Sequence, residues 1–251
     1  MEPAQAKSFL TVPMSILIAG ALIAATIIWT NVGKTSSSPV ATSETEKDLK
    51  TLMKPVTSED HILGNPNASI KIVEYSDPSC PYCKIFHMTM KKLIDVYGSK
   101  GDVAWVYRHF PIDKPDAQGH ILHPNAGHEA QATECAAQLG GNQKFWAYTN
   151  RLYDVTPSVT GATPNGLDQK ELPKIAAFVG LDVDDFNSCL SSGKFKEKVE
   201  GQYLEAVNLG LTGTPSSILI TPSGEYIPLE GALPYEQLKQ ALDALIAQKG
   251  N

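Results

Sequence analysis

Two cysteines lie two residues apart in the stretch S-D-P-S-C-P-Y-C-K, residues 76–84. Cys80 and Cys83 could be half of a zinc site, an inert local disulfide, or a dithiol that opens and closes. A structural zinc site takes four Cys or His ligands with paired spacings. The remaining cysteines, Cys135 and Cys189, are single and far apart. His120, His123 and His128 lie in H-I-L-H-P-N-A-G-H-E, but none stands at a pairing distance from a cysteine. We therefore expect loop and helix-cap histidines and no metal. A redox pair needs a thiolate as its attacking species. The first turn of a helix supplies unpaired N–H groups and the positive dipole end, which favour that anion. Cys80 falls where a helix begins, and Pro81 fits the first turn because its missing N–H is not needed there. The expectation is an exposed nucleophile at Cys80, a resolving thiol at Cys83 one turn on, and Tyr82 tuning the thiolate.

The elements that hold this pair can be read from the patterning. Ile70 to Tyr75 alternates as a strand, with Ile70, Ile72 and Glu74 on one face. If that face is interior, Glu74 is a buried acid beneath the cysteines with a raised pKa, able to relay a proton; otherwise it is a plain sheet-edge carboxylate. The helix should run from Cys80 to about Tyr97, ending at Gly98. Asp102 to Phe110 is a second strand. A helical block follows: residues 127–139, a stop at Gly140-Gly141, then 143–153, 168–179, 183–190 and 195–209. A hairpin over 216–221 and 225–229 and a closing helix over 234–248 complete the chain. The order implies an α/β domain: a parallel pair with a crossover helix, then a hairpin and a helix, interrupted by a helical insertion at about 122–209. T-G-T-P places Pro215 just before the hairpin, and an X-Pro bond is trans by default.

The chain has 251 residues and a formal charge of -6, which argues against a nucleic-acid partner. From Ser8 to Gly33 there is no Asp, Glu, Lys or Arg. The apolar run from Val12 to Trp29 would span roughly 27 Å as a helix, close to a hydrocarbon core of about 30 Å. A cleaved signal peptide has a shorter apolar region ending at small residues. The expected organisation is a cytoplasmic N-terminus over 1–7, a transmembrane anchor over 8–32, a flexible linker over 33–59 and a globular domain over 60–251. In an exported domain, an even cysteine count outside the active pair favours a structural disulfide between Cys135 and Cys189, with two free buried thiols as the alternative.

I-V-E-Y-S-D-P-S-C-P-Y-C, the T-G-T-P before a strand, and the helical block between them resemble the DsbA-like thiol-disulfide oxidoreductases of the thioredoxin superfamily. Phe145-Trp146 in the block is similar as well. The resemblance covers roughly residues 60–250. It implies a thioredoxin fold and a cis Pro215 that faces Cys80 and Cys83. It further implies a peptide groove formed with Thr214, Pro81 and Tyr82, and an acid at the Glu74 position, six residues before the first cysteine. It implies no cofactor. Partners would be exported client proteins carrying thiols or disulfides and an integral membrane redox partner, either a quinone-linked oxidase or an electron donor. The location would be the bacterial inner membrane, single-pass, with the catalytic domain on the periplasmic or extracytoplasmic side. C-P-Y-C and Thr before the proline also resemble isomerase and reductase members. The leading expectation is introduction of disulfides into clients; the alternatives are reduction or isomerisation, and a non-enzymatic client-binding module.

Overall fold

The structure is a computed structural model and describes residues 49–157 and 167–249. The expected anchor over 8–32, and with it residues 1–48, lies outside the described residues. Among the described residues no helix is long and apolar enough to cross a membrane.

The elements follow in chain order as β1 (His61–Gly64), β2 (Ile70–Ser76), α1 (Pro81–Leu93) with a π-turn over Ile94–Gly98, and β3 (Val103–His109). Then come α2 (Ala126–Val155), α3 (Glu171–Phe178), α4 (Val183–Ser191) and α5 (Lys196–Asn208). The chain returns through β4 (Ser216–Ile220), β5 (Tyr226–Glu230) and α6 (Tyr235–Lys249). The five strands form one mixed sheet in the order β1-β3-β2-β4-β5. Only β2 and β3 run parallel; β1 on β3, β4 on β2 and β5 on β4 are antiparallel. A parallel pair needs a crossover, and α1 provides it. No strand is expected from the sequence where β1 stands. Four residues closing on Gly64 carry too little alternation to show, and their pairing with β3 is a contact between distant segments.

Strand alternation sorts the core into layers. Ile70 and Ile72 of β2 and Trp105 and Tyr107 of β3 face one way, against Cys83, Phe86 and Met90 of α1, Trp146 and Tyr153 of α2, and Leu238 and Leu242 of α6. Val73 and Tyr75 of β2, Val106 of β3 and Ile218 of β4 face the other way, against Ala206 of α5. A separate apolar cluster holds the helical insertion together, with Tyr148 and Leu152 of α2, Leu172 and Ile175 of α3, and Phe186 and Leu190 of α4. The helix α2 is broken at Gly140 and Gly141, as the glycine pair suggested. Gly141 has φ of +68°, a left-handed conformation that an L side chain resists.

One boundary differs from the sequence reading. Residues 49–59 are not part of a free linker. Residues 49–52 are helical, and Leu49 and Met53 are buried against Val73, Tyr75 and Leu209. Arg108 fastens the next stretch: its guanidinium donates to the carbonyls of Lys54 at 3.1 Å and Pro55 at 3.2 Å, and to Asp60 at 2.9 Å. The same group reaches Glu205 of α5 at 2.7 Å. A buried cation needs such partners, and the backbone before Asp60 supplies two of them.

Candidate active site

The loop from β2 into α1 carries the cysteines. Cys80 is the N-cap of α1, with extended backbone (φ -77°, ψ 124°), and Pro81 begins the helix. In α1 the residues Cys83, Phe86, His87, Met90 and Leu93 are buried, a spacing of three and four that turns one face inward. Tyr82, Ile85 and Met88 stand on the outside, and Tyr82 is 60% exposed. Both thiols are free.

The sequence reading expected an exposed nucleophile. The structure instead leaves Cys80 only 4% exposed and Cys83 fully buried. The cause is the loop before β4. Its Thr214–Pro215 peptide bond is cis, and the Cys80 thiol donates to the Thr214 carbonyl at 3.5 Å. Pro215 is itself buried, and its carbonyl accepts from the Gly231 N–H at 3.0 Å. A groove of about 360 Å³ runs beside this loop, lined among others by Thr212, Thr214, Pro215, Leu229 and Glu230.

The two thiols differ in character. The hydrogen bond from Cys83, helped by the Thr214 side chain and the Cys83 backbone N–H, brings the Cys80 thiol down to about 6 against the opposing effect of burial. Cys83 goes the other way: burial raises it well above the ordinary thiol range, and the neighbouring Cys80, Glu74 and Asp77 charges add to that. Near neutral pH the pair therefore holds one thiolate, on Cys80. A site with one activated and one protonated sulfur suits attack at the first and release at the second.

Glu74 is fully buried on the β2 face shared with Ile70 and Ile72. Trp105 Nε1 donates to its Oε2 at 2.8 Å, while Oε1 has no hydrogen-bond partner. Burial raises its carboxyl to about 7, although hydrogen bonds from Ser76 and Trp105 favour the anion and the Cys80 charge disfavours it. An acid poised near neutrality next to Cys83 can gain and lose a proton in the working pH range.

Several residues around the pair carried no signal in the sequence reading. Asp77 is fully buried, and its carboxylate accepts from the Ser79 N–H at 2.7 Å, the Ile112 N–H at 2.7 Å and His123 Nδ1 at 2.8 Å. The first of these closes an Asx turn, which S-D-P-S ahead of a helix could have suggested. Tyr153 of α2 donates to the Asp77 carbonyl at 3.2 Å, which ties the insertion to the cysteine loop. The Ser79 hydroxyl donates to Glu129 of α2 at 2.7 Å, and burial pushes that carboxyl up to about 7. The three histidines read as loop and cap residues take separate partners: His120 pairs with Asp116, His123 with Asp77 and His128 with Gln169. Far from the pair, Cys135 of α2 and Cys189 of α4 form a disulfide with a sequence separation of 54.

A family model described as Thioredoxin matches residues 56–244. Among known sequences, the chain is 28% identical over 168 residues to the Na(+)/H(+) antiporter NhaA 1 of Mycolicibacterium gilvum, covering 66% of this chain and 24% of that protein. The chain thus spans about a quarter of the length of the antiporter relatives it matches. It is 27% identical to the "Putative protein-disulfide oxidoreductase RT0103" of Rickettsia typhi, covering 64% of this chain and 54% of that one. Among solved structures it is similar to alpha-DsbA1 of Wolbachia pipientis, with a TM-score of 0.64 and 24% identity, covering 79% of this chain and 96% of that one.

Proposed function

This chain belongs to the thioredoxin family, and we propose that it is a thiol-disulfide oxidoreductase that introduces disulfides into exported client proteins. The observation that carries the reading is the inequality of the two thiols, with Cys80 brought down to about 6 and Cys83 raised. The likeness to the Rickettsia protein supports the same reaction class. No transport function is taken from the antiporter relatives, of which the chain spans 24%.

In the oxidised protein a client thiolate attacks Cys80 Sγ. The Cys80–Cys83 bond breaks, a mixed disulfide forms on Cys80, and Cys83 leaves as a thiolate. Burial makes that anion costly, so it takes a proton, and Glu74 in its acid form is the donor at hand. A second client thiolate attacks the client's own sulfur in the mixed disulfide and expels Cys80, whose low pKa makes it a good leaving group. The client loses two electrons to the Cys80–Cys83 pair; Cys83 takes one proton from Glu74, Cys80 is left as the thiolate, and the client's own protons go to solvent and to the Glu74 carboxylate. Thr214 and cis Pro215, with Pro81 and Tyr82, line the side from which the client strand approaches. A quinone-linked integral membrane oxidase would take the electrons and restore the disulfide.

The second reading runs the current backwards, with an electron donor keeping the pair reduced so that it reduces or reshuffles disulfides. The Pro-Tyr dipeptide favours it, because no cationic side chain stands between the cysteines to draw the thiolate lower.

Three experiments test the proposal. Oxidised protein mixed with a reduced, unfolded client should form client disulfides, one per protein molecule. Cys80→Ser should abolish this, and Cys83→Ser, given a disulfide-bearing client, should trap a mixed disulfide on Cys80. Undiminished client oxidation by Cys80→Ser would leave only a binding role. The anchor over 8–32 and the extracytoplasmic placement of the catalytic domain are part of the same proposal, supported by the uncharged run from Ser8 to Gly33. The full chain should stay with bacterial membranes under alkaline carbonate extraction, and its domain should be cut by protease added to spheroplasts. Release of the intact chain by carbonate, or protection from the protease, would contradict this.

A further inference from the structure

We propose that Asp77 and His123 form a positioning pair for the Cys80 thiolate, in which His123 supplies the positive charge that the Pro81-Tyr82 dipeptide lacks. The proposal rests on the reading of Cys80–Cys83 as the working dithiol.

Asp77 is the hub of the cysteine loop. Its carbonyl accepts from the Cys80 N–H at 3.1 Å, and its N–H donates to Cys83 Sγ at 3.4 Å. Its carboxylate is buried and accepts from three donors, each within 2.8 Å. That charge close to Cys80 opposes a thiolate there. A site built to hold a thiolate against a buried carboxylate needs a compensating cation, and His123 is placed to be one. Its Nδ1 lies 2.8 Å from Asp77 Oδ2, and its side chain is 14% exposed. With Nδ1 donating to a carboxylate, the ring gains by holding a second proton on Nε2.

The titratable groups whose charges act on His123 are Asp77 on the loop before α1, which it contacts, Cys80 at the head of α1 and Glu129 on α2. Burial works against the imidazolium, and the hydrogen bond and charge of Asp77, with the Cys80 and Glu129 charges, outweigh it, so His123 is raised. Glu129 is only half ionised at about 7 and mostly neutral a unit lower. Below that, His123 answers to Asp77 and Cys80. Coupling between two sites is reciprocal: if the thiolate favours the imidazolium, the imidazolium favours the thiolate equally. Asp77 holds both cysteines through its backbone, at the Cys80 N–H and at Cys83 Sγ, while Ile112 and His123 hold it from the segment between β3 and α2.

The test is the pH dependence of Cys80 alkylation in the reduced full-length chain, read by peptide mass mapping. His123→Gln keeps a ring-sized polar group without the charge. An opposite charge within about 4–6 Å shifts a neighbour by roughly one to three pH units, and His123 connects to Cys80 through Asp77. The midpoint for Cys80 should therefore rise by about one pH unit, with alkylation at pH 6 slowed about fivefold. His123→Arg should restore a low midpoint, which a purely structural role for the ring would not do. Unchanged midpoints in His123→Gln would overturn the pair while leaving the dithiol reading intact. A native Cys80 midpoint at an ordinary thiol value of about 8.5 would overturn both. The native protein offers a check without substitution: the NMR-monitored titration of the His123 ring should move to lower pH when Cys80 and Cys83 are oxidised, since the thiolate is then gone. An identical His123 titration in both redox states would also overturn the proposal.

Discussion

Glu74 shows most clearly how one buried side chain couples stability to redox chemistry. Its carboxyl is raised from 4.5 to about 7 by burial. Between those values the folded protein binds more protons at this group than the unfolded chain does. Stability is therefore fully present below about pH 4.5 and falls as pH rises towards 7. The loss amounts to about 3 kcal/mol. Glu129 acts in the same direction. Glu74→Gln keeps the Trp105 hydrogen bond and removes the titration. Its unfolding free energy in urea should match the native protein at pH 4.5 and exceed it by about 2–3 kcal/mol at pH 8. Its release of Cys83 during exchange should also slow. Equal pH slopes for the two proteins would contradict the account. The face occupied by Glu74 was legible from the alternation of Ile70, Ile72 and Glu74. Its Trp105 partner was not, because that bond joins adjacent strands 31 residues apart. Asp77 and His123 were hidden for the same reason, being 46 residues apart.

Among the elements, those with strong local signals were readable. The strands β2 and β3, the β4–β5 hairpin and the break at Gly140-Gly141 all follow from alternation or glycine chemistry. The strand β1 and the seating of residues 49–59 were not readable, since pairing with β3 and capture by Arg108 decide them. The disulfide between α2 and α4 is an element-scale constraint that the even cysteine count did suggest. It pins α4 to the insertion's longest helix and closes a loop of 54 residues, for which chain entropy gives roughly 4 kcal/mol. The double variant Cys135→Ala with Cys189→Ala should lose about 2–4 kcal/mol of unfolding free energy. Its Cys80 alkylation rate should stay within about twofold of the native rate, because the bridge sits in a cluster separate from the dithiol. A loss of stability below about 0.5 kcal/mol would show that the insertion holds α4 without it.

For the whole molecule, the layers explain why the site stands where it does. The parallel β2–β3 pair requires a crossover, α1 provides it, and its first turn brings Cys80 to the end of β2. The antiparallel β4 then presents cis Pro215 across from it, and the insertion delivers Tyr153, Glu129 and His123 around the same loop. The sequence carried the reaction class through C-P-Y-C and T-P, while the burial of Cys80 under the Thr214 loop emerged only from the folded chain. The reading of this protein as a disulfide donor requires that the reduced state gain from the Cys80 thiolate. The most direct measurement is the reduction potential of Cys80–Cys83, equilibrated against glutathione in the full chain. The account predicts about -180 mV or higher, in the range between protein disulfide isomerase and strong disulfide donors near -120 mV. A value near -270 mV, that of a thioredoxin-like reductant, would contradict it.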